Sequence, residues 1–236
     1  MISGADSYTP ANERSEFLGD PDQTARQPFP YYTRSAQTVG DQVMAFGYII
    51  KTMNLPSGAS ILEFGPGWGN TTVTLARMGY AVTAVDIEPK FLDIIQSRAK
   101  LLALSINTVC GSFGPVNDSN GTPAKFDAVL FFESFHHCSD HLKLIRELPA
   151  MLKDGGIVVF ASEPITDLFP VPWGVRLDGM SVWSIRQFKW LELGFKESYF
   201  LQTMKSEGWS VTKHVCPDTH LGVIFVARRN DGKAQL

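Results

Sequence analysis

Three glycines lie within five residues of the sequence ILEFGPGWGN, residues 61–70. Gly65, Gly67 and Gly69 follow a short apolar run typical of a buried strand and precede a predicted helix. Because glycine has no Cβ, its backbone can turn sharply and approach a ligand closely. Asp86 follows Gly65 by 21 residues, at the end of the next predicted strand, where a carboxylate can accept hydrogen bonds from both hydroxyls of a ribose. The spacing therefore predicts a nucleoside-binding site.

Two residues beside this loop bear on which nucleoside it binds. The nicotinamide-dinucleotide pattern is G-x-G-x-x-G, and Asn70 stands where its third glycine would be. Glu63 lies two residues before the first glycine, where its negative charge would repel a pyrophosphate but attract an ammonium or a sulfonium group. The loop therefore favours a positively charged nucleoside ligand over a dinucleotide, and S-adenosylmethionine is a ligand of this kind.

A second group of ionisable residues follows the predicted fourth strand, in ESFHHCSDH, residues 133–141. Open parallel sheets bind ligands at the carboxyl ends of their strands, so this segment should face the reacting group. If the acceptor is a hydroxyl, His137 or His136 is the candidate general base, because imidazole titrates near neutral pH. In the alternative interpretation, His137 only orders the loop by hydrogen bonding to the backbone.

The same segment offers the ligand types of a metal site. Its candidate ligands are Glu133, His136, His137, Cys138 and His141. Adjacent residues rarely ligate one ion with good geometry, and no second cluster completes a known ligand spacing. We therefore expect no metal ion.

A strongly aromatic segment, FPVPWGVRLDGMSVWSIRQFKW, occupies residues 169–190. It is longer than a strand-to-helix connection requires, and two interpretations stay open: a cover packed on the sheet, or a wall of the acceptor pocket. Aromatic faces and arginine forks suit sugars, phosphates or carboxylates. The predicted pocket residues in this segment are Trp173, Arg176, Trp183 and Arg186.

The spacing of apolar residues predicts the elements that position these groups. After a helix at residues 35–54, strands at 60–64, 81–86, 106–110, 126–132 and 157–161 alternate with helices at 70–78, 89–104 and 139–152. A helix at 197–207 and two strands at 209–215 and 221–228 follow. The last two strands are joined by too few residues for a helical crossover, so they should pair antiparallel. This alternation indicates an α/β fold with a doubly wound, mostly parallel sheet.

Composition excludes several classes of protein. The 236 residues are 44% apolar and 19% charged, which is ordinary for a globular domain with one core. A net charge of −3 argues against a general nucleic-acid binder. No apolar run is long enough to span a membrane, and the N-terminus does not resemble a signal peptide. Three widely spaced cysteines form no disulfide framework, so we expect a cytoplasmic protein.

In the order and spacing of these motifs the chain resembles the class I S-adenosylmethionine-dependent methyltransferases. EFGPGWGN (63–70) looks like the first motif of that family, and VDI (85–87) like its ribose-binding acid with an adenine-packing neighbour. FDAVLFF (126–132) looks like its fourth strand, and LKDGG (152–156) like the turn before its fifth. The resemblance implies seven strands in the order 3-2-1-4-5-7-6, with the last strand antiparallel.

The resemblance also implies roles for individual residues. S-adenosylmethionine would contact Glu63, Gly65, Pro66, Gly67, Trp68, Gly69, Asp86, Ile87, Ser112, Phe113 and Glu133. Ser112 stands where family members often have an acid for the adenine amino group, and Trp68 is bulkier than the usual loop residue. An N-terminal arm closes the pocket in many relatives, which adds Tyr31 and Tyr32 to the predicted acceptor pocket.

The sequence thus predicts an irregular N-terminal arm at residues 1–34 and a Rossmann-like methyltransferase domain at residues 35–236, with a cover insertion at about 163–194. The predicted activity is methyl transfer from S-adenosylmethionine to a small-molecule or glycan acceptor, with oxygen as the expected methylated atom. A cofactor-binding protein without transfer activity is an alternative. An NAD-dependent oxidoreductase is a weaker one because of Asn70 and Glu63.

Overall fold

The computed structural model describes residues 20–118 and 120–230. The N-terminal part of the predicted arm, residues 1–19, lies outside the described residues. The strands are β1 Ser60–Phe64, β2 Ala81–Asp86, β3 Ile106–Cys110, β4 Phe126–Phe132, β5 Leu152–Ala161, β6 Trp173–Val175, β7 Leu193–Phe195, β8 Trp209–Val215 and β9 Val223–Arg229. The α-helices are α1 Pro21–Arg26, α2 Ala36–Met53, α3 Asn70–Arg77, α4 Pro89–Leu101, α5 His141–Glu147, α6 Gly179–Phe188 and α7 Glu197–Ser206.

Seven of these strands form one sheet in the order β3-β2-β1-β4-β5-β9-β8. Strands β1 to β5 pair in parallel with their neighbours, and β9 runs antiparallel to both β5 and β8. The predicted fold class and strand order are therefore confirmed, once the two small strands β6 and β7 are left out of the numbering.

The buried strands account for the doubly wound arrangement, because alternate side chains of a strand point to opposite faces. In β4, Val129 and Phe131 pack in the core that also holds residues of α5 and α7. Ala128 and Leu130 pack in a second core with residues of α2 and α3. The sheet is thus covered on both faces, and its strand ends are left as the place for a site.

The predicted bounds of the helix after β4 and of the fifth strand were wrong. Helix α5 begins at His141, because Asp140 rather than Ser139 caps it, and a 3₁₀ helix at Leu148–Met151 follows it. Strand β5 begins at Leu152, so the Gly155-Gly156 pair lies inside the strand. The register of β4 and β5 shifts between Phe126 and Ala128, and the extra residues of β5 form a bulge there.

The arm and the cover are also more ordered than expected. Asp20 caps α1, and Ala25 packs against Phe91 and Ile94 of α4. A 3₁₀ helix at Tyr31–Thr33 completes the described part of the arm. The cover contains α6 and a two-stranded antiparallel sheet of β6 and β7, which is fixed by the buried side chains of Leu193 and Phe195. Among the helices of the described residues, none combines the length and apolar character that a bilayer span requires.

Candidate functional site

A cavity of about 1010 Å³ lies at the carboxyl ends of the parallel strands. Its walls come from the segments that follow β1, β2, β3, β4 and β5, together with the arm and the cover. This is the edge at which an open α/β sheet binds its ligands, near the point where strand order reverses between β1 and β4. The cavity therefore is the candidate site.

The three glycines of the loop between β1 and α3 have different surroundings. All three adopt a positive φ, which favours glycine. A Cβ on Gly65 would lie 2.6 Å from the Cβ of Ser134, and one on Gly69 would clash with the side chain of Ile95. A Cβ on Gly67 would meet nothing within 4 Å. Gly65 and Gly69 are therefore required by packing. Gly65 and Gly67 both border the cavity, but only Gly67 has open space where a Cβ would lie.

The carboxylate of Asp86 is buried beside this loop, at the end of β2. Its Oδ2 accepts a hydrogen bond from the Gly67 amide at 3.2 Å, and its Oδ1 accepts one from the Glu88 amide at 2.9 Å. Asp86 also borders the cavity. These two bonds hold the Asp86 carboxylate beside the glycine loop, as the spacing of the two motifs predicted.

Asn70 and Arg98 hold the glycine loop from behind. Arg98 of α4 donates to the carbonyl oxygen of Trp68 and, at 2.8 Å, to Oδ1 of Asn70. Asn70 in turn donates from Nδ2 to the carbonyl oxygen of Phe29 in the arm, at 2.6 Å. Burial lowers the pKa of Arg98 to about 10, so the guanidinium stays charged at neutral pH. Sequence reasoning singled out Asn70 only as a missing glycine and did not find Arg98.

Glu63 does not border the cavity. Its side chain is almost completely buried, and Oε2 accepts a hydrogen bond from the Thr72 hydroxyl at 2.6 Å. Burial raises its pKa to about 7, with a further contribution from the charge of Asp86, while the Thr72 bond opposes the rise. A direct contact between this carboxyl group and a ligand in the cavity is therefore not supported by its position.

Apolar side chains border the end of the cavity beyond Asp86. Ile87 and Phe113 lie on this wall, and Phe113 packs edge-on against Phe64 at a centroid distance of 5.5 Å. Trp68 and Phe91 also border the cavity, with ring centroids 5.6 Å apart. Ser112, Cys110 and Gly111 add polar groups to its lining. An apolar slot with a few polar groups is typical of a site for a flat aromatic ring.

His136 lies at the opposite end of the cavity, in the 3₁₀ helix Phe135–His137. Its Nδ1 lies 2.7 Å from Oε2 of Glu163, and its Nε2 lies 3.5 Å from Oε2 of Glu192. Burial alone would lower the pKa of His136, but the neighbouring carboxylates of Glu163, Glu192 and Glu133 raise it. Glu163 also accepts the backbone amides of Ser134, Phe135 and His136, and so fixes the whole turn.

His137 is held by the cover. Its Nδ1 donates to the carbonyl oxygen of Leu191 at 2.6 Å, and its ring lies 4.1 Å from the ring of His136 between centroids. Burial and the charge of His136 lower the pKa of His137 well below its usual value, so the ring is neutral at physiological pH. A neutral ring bonded through Nδ1 to a carbonyl ties the turn after β4 to the cover.

Glu133 lies between the two ends of the cavity. Its backbone has a left-handed φ of 51°, and its amide donates to the carbonyl oxygen of Ala161 at 3.1 Å. The side chain is open to the cavity but enclosed by its walls, and this enclosure raises the pKa of the carboxyl group.

Only part of the predicted acceptor pocket borders the cavity. Arg176 does, because the pairing of β6 with β7 places it opposite Glu192, with its Nη1 3.6 Å from Oε2 of that residue. Trp183 packs on Phe188 and is 51% exposed. The other predicted residues that do not border the cavity are Trp173, Arg186, Tyr31 and Tyr32.

Several cavity residues were missed by sequence reasoning. Glu192 and Trp190 precede β7, and Glu163 acts from the segment after β5 through the amides it accepts. Phe29 of the arm takes the position expected for the tyrosines. No sequence signal could have found the two glutamates, since each meets His136 only through long-range packing.

Comparison with known proteins agrees with the fold and the loop motif. Residues 62–160 match the family described as a methyltransferase domain. A relative named ubiquinone biosynthesis O-methyltransferase, from Xanthomonas campestris, is 29% identical over 115 residues, which cover 49% of this chain and 47% of the relative. The chain thus spans about half the length of the curated relatives it matches.

Two solved structures share the fold across most of the chain. The 1,6-didemethyltoxoflavin-N1-methyltransferase of Burkholderia thailandensis, solved with S-adenosylhomocysteine, has a TM-score of 0.58 at 17% identity and covers 91% of this chain and 92% of its own. The [4+2]-cyclase SpnF has a TM-score of 0.62 at 18% identity, covering 83% and 82%. Together these comparisons show that residues 62–160 match a methyltransferase domain and that the chain has the fold of these two structures.

Proposed function

We propose that this protein transfers a methyl group from S-adenosylmethionine to a hydroxyl group of a small-molecule or glycan acceptor. The observation that carries the proposal is the continuity of the cavity, which joins the Gly67 and Asp86 wall to a polar end formed by His136, Arg176 and Glu192. A donor and an acceptor could therefore meet in one enclosed space. The name of the Xanthomonas relative supports oxygen as the methylated atom.

The cofactor would occupy the end of the cavity near the glycine loop. Asp86 would accept hydrogen bonds from the ribose hydroxyls, and the exposed backbone of Gly67 would allow the ligand to approach. Ile87 and Phe113 would pack on the adenine ring, with Ser112 beside its amino group. Pro66 and Trp68 would border the methionine part, and Glu133 would face its charged end.

The acceptor would occupy the end beneath the cover. When bound, S-adenosylmethionine supplies an electrophilic methyl group on a sulfonium. The chain has to align the acceptor with that carbon and keep water out. The cover and Phe29 close the space, and Arg176 offers a cation for an anionic acceptor. The bond from His137 to Leu191 supports an ordering role for that ring, because it joins the turn after β4 to the cover.

The proposal is tested first by binding and then by product mass. Calorimetry of the full chain should show one site for S-adenosylhomocysteine, and NAD should not stabilise the protein against heat. Incubation with methyl-labelled S-adenosylmethionine and libraries of phenols, sugars and amines should then give a product heavier by one labelled methyl group. Binding without transfer to any hydroxyl compound would favour the cofactor-binding alternative, and preferential stabilisation by NAD would overturn the proposal.

A further inference from the structure

The imidazole rings of His136 and His137 and the carboxylate of Glu192 converge at the acceptor end of the cavity. One possible ligand atom from each of the three residues lies within 4.8 Å of the others. The Nε2 of His136 is 3.5 Å from Oε2 of Glu192. Neighbouring ligand atoms of a tetrahedral zinc ion lie about 3.4 Å apart, given metal–ligand bonds of about 2.0–2.1 Å. The distance between His136 and Glu192 is therefore close to that between neighbouring zinc ligands, and the ligand atom of His137 lies within 4.8 Å of both.

Both rings carry the outer hydrogen bond that is characteristic of metal-binding histidines. Such histidines almost always bond through their other ring nitrogen to a carboxylate or a backbone carbonyl. Nδ1 of His136 lies 2.7 Å from Oε2 of Glu163, and Nδ1 of His137 lies 2.6 Å from the carbonyl oxygen of Leu191. With its Nδ1 engaged by Glu163, His136 would offer its Nε2 to an ion, and His137 would offer the ring atom that lies within 4.8 Å of the other two ligand atoms.

The three side chains are held by rigid surroundings before any ion arrives. Glu163 accepts three consecutive backbone amides and so fixes the turn that carries both histidines. Glu192 lies directly before β7, and its carbonyl oxygen accepts the Arg176 amide at 2.8 Å. Preorganised ligands lose little freedom on binding, which favours affinity.

Arg176 is a positively charged side chain next to the proposed site, and it would repel a bound metal ion. Its Nη1 lies 3.6 Å from Oε2 of Glu192, but its Nε already pairs with Oδ2 of Asp178 at 3.1 Å. The side chain can therefore keep a carboxylate partner when Glu192 turns to a metal. The surrounding charge also favours a cation, since Glu133 and Glu163 lie close enough to affect His136.

We propose that His136, His137 and Glu192 bind a divalent transition-metal ion of the zinc class, with an open coordination position toward the cavity. Two histidines and one glutamate are a known ligand set of catalytic zinc sites, which keep a position for water or substrate. The proposal gives both rings a ligand role in place of the general-base role suggested by the sequence, and it replaces the expectation from the sequence that this segment binds no metal ion, because Glu192 joins the two histidines from a distant segment.

The ion's use rests on the function proposed above. An acceptor hydroxyl bound at the open position would lose its proton to water more easily, as zinc-bound water does. The resulting oxygen would form a bond to the methyl carbon while the carbon–sulfur bond breaks, and the electron pair of that bond would stay on sulfur. No oxidation or reduction is involved, and the preferred acceptors would be hydroxyl compounds small enough to reach the open position.

The test is a calorimetric titration of the EDTA-treated full chain with zinc chloride, compared across four variants. We expect one site in the wild-type protein and at least a tenfold weaker one in His136→Ala and Glu192→Gln. Glu163→Gln should weaken binding by about 10- to 100-fold, as changes in outer-sphere partners do. His220→Ala removes another histidine bordering the same cavity and should leave the affinity unchanged.

Cobalt(II) and S-adenosylhomocysteine supply two further measurements on the same proteins. Cobalt should give visible absorption of a four- or five-coordinate ion in the wild type but not in His136→Ala, while circular dichroism shows that the variant is folded. Zinc affinity that is equal in the wild type and the Glu192→Gln variant would overturn the metal site. If S-adenosylhomocysteine still binds in that case, the methyltransferase proposal stands on its own.

Discussion

At the scale of single residues, the same carboxylate chemistry has opposite consequences at Asp86 and Glu63. Asp86 borders the cavity and is held by two backbone amides. Glu63 is enclosed and keeps only one hydroxyl partner, that of Thr72, so burial dominates its titration. We therefore expect Asp86 to contribute to ligand binding and Glu63 to affect the stability of the fold.

Replacing Asp86 with alanine should weaken the binding of S-adenosylhomocysteine by about ten- to a hundredfold. The loss of hydrogen bonds to a charged acceptor costs about 1.5–3 kcal/mol. Calorimetry at fixed salt measures the effect, and Asp93→Ala, which removes an exposed carboxylate from α4, is the control for net charge. Equal affinities of the two variants would place the ribose elsewhere.

Glu63→Gln should remove a pH dependence of stability. In the unfolded chain Glu63 ionises near its ordinary value of 4.5, whereas in the folded protein its pKa is about 7. The folded state therefore binds this proton more tightly. The contribution of Glu63 to the free energy of unfolding is greatest below pH 4.5 and is lost as the pH rises through 7. The difference in unfolding free energy between variant and wild type should grow by on the order of 3 kcal/mol from pH 5 to pH 8. Urea unfolding measures this difference. If the free energies of unfolding of the two proteins changed with pH in the same way, the raised pKa of Glu63 would be wrong.

At the scale of elements, the loop between β1 and α3 contains two glycines with different roles: Gly67 has open space for a ligand, and Gly65 packs against Ser134. Gly65 and Gly67 both have a positive φ, so alanine introduces similar backbone strain at each. Only at Gly65 would the new Cβ also collide, with Ser134. The two variants therefore form a matched pair.

Gly67→Ala should keep its fold and lose affinity for S-adenosylhomocysteine, whereas Gly65→Ala should melt at a clearly lower temperature. Backbone strain alone costs about 1 kcal/mol or slightly more at either site. Thermal melts with and without the ligand distinguish the two effects. A Gly67→Ala protein that binds normally would show that the ligand does not approach this part of the backbone.

The elements themselves were largely predictable, and the reason is local. β1, β2, β3, β4 and β8 have the predicted bounds because each is a short run with turn residues at both ends. The start of β5 was missed because its pairing with Phe126 through a bulge is a tertiary effect. The two strands inside the predicted cover were missed because they are only three residues long and depend on each other.

The residues of the site also fall into those that the sequence could predict and those that it could not. Gly67, Asp86 and Phe113 border the cavity as the motif spacing suggested, since they follow successive strands of one sheet edge. Glu163 and Glu192 reach His136 from distant segments, and no spacing rule connects them. Trp183 shows the opposite error, because an aromatic residue in a cover can pack on its own helix, here against Phe188, rather than on a ligand.

At the scale of the whole molecule, the cavity is enclosed by pieces that lie outside the parallel core. In the described part of the arm, the Phe29 carbonyl accepts a hydrogen bond from Asn70 next to the glycine loop, and Ala25 packs on α4. Asn70 also accepts from Arg98, so one side chain joins the arm, the loop and α4. This connection links the position of the arm to the geometry of the glycine loop.

Asn70→Ala should therefore loosen the arm while leaving the sheet intact. Amides in segments with few buried contacts exchange through local opening, so the loss of an anchoring bond should raise their exchange rate. Hydrogen–deuterium exchange should be faster in residues 20–34 of the variant and unchanged in β4 and β5, and S-adenosylhomocysteine should protect the arm less than it does in the wild type. Asn107→Ala, which removes an exposed asparagine from β3, is the matched control. Faster exchange throughout the variant would mean that Asn70 supports the core as a whole, and identical exchange in the arm would show that Ala25 and its neighbours hold it without the Asn70 bond.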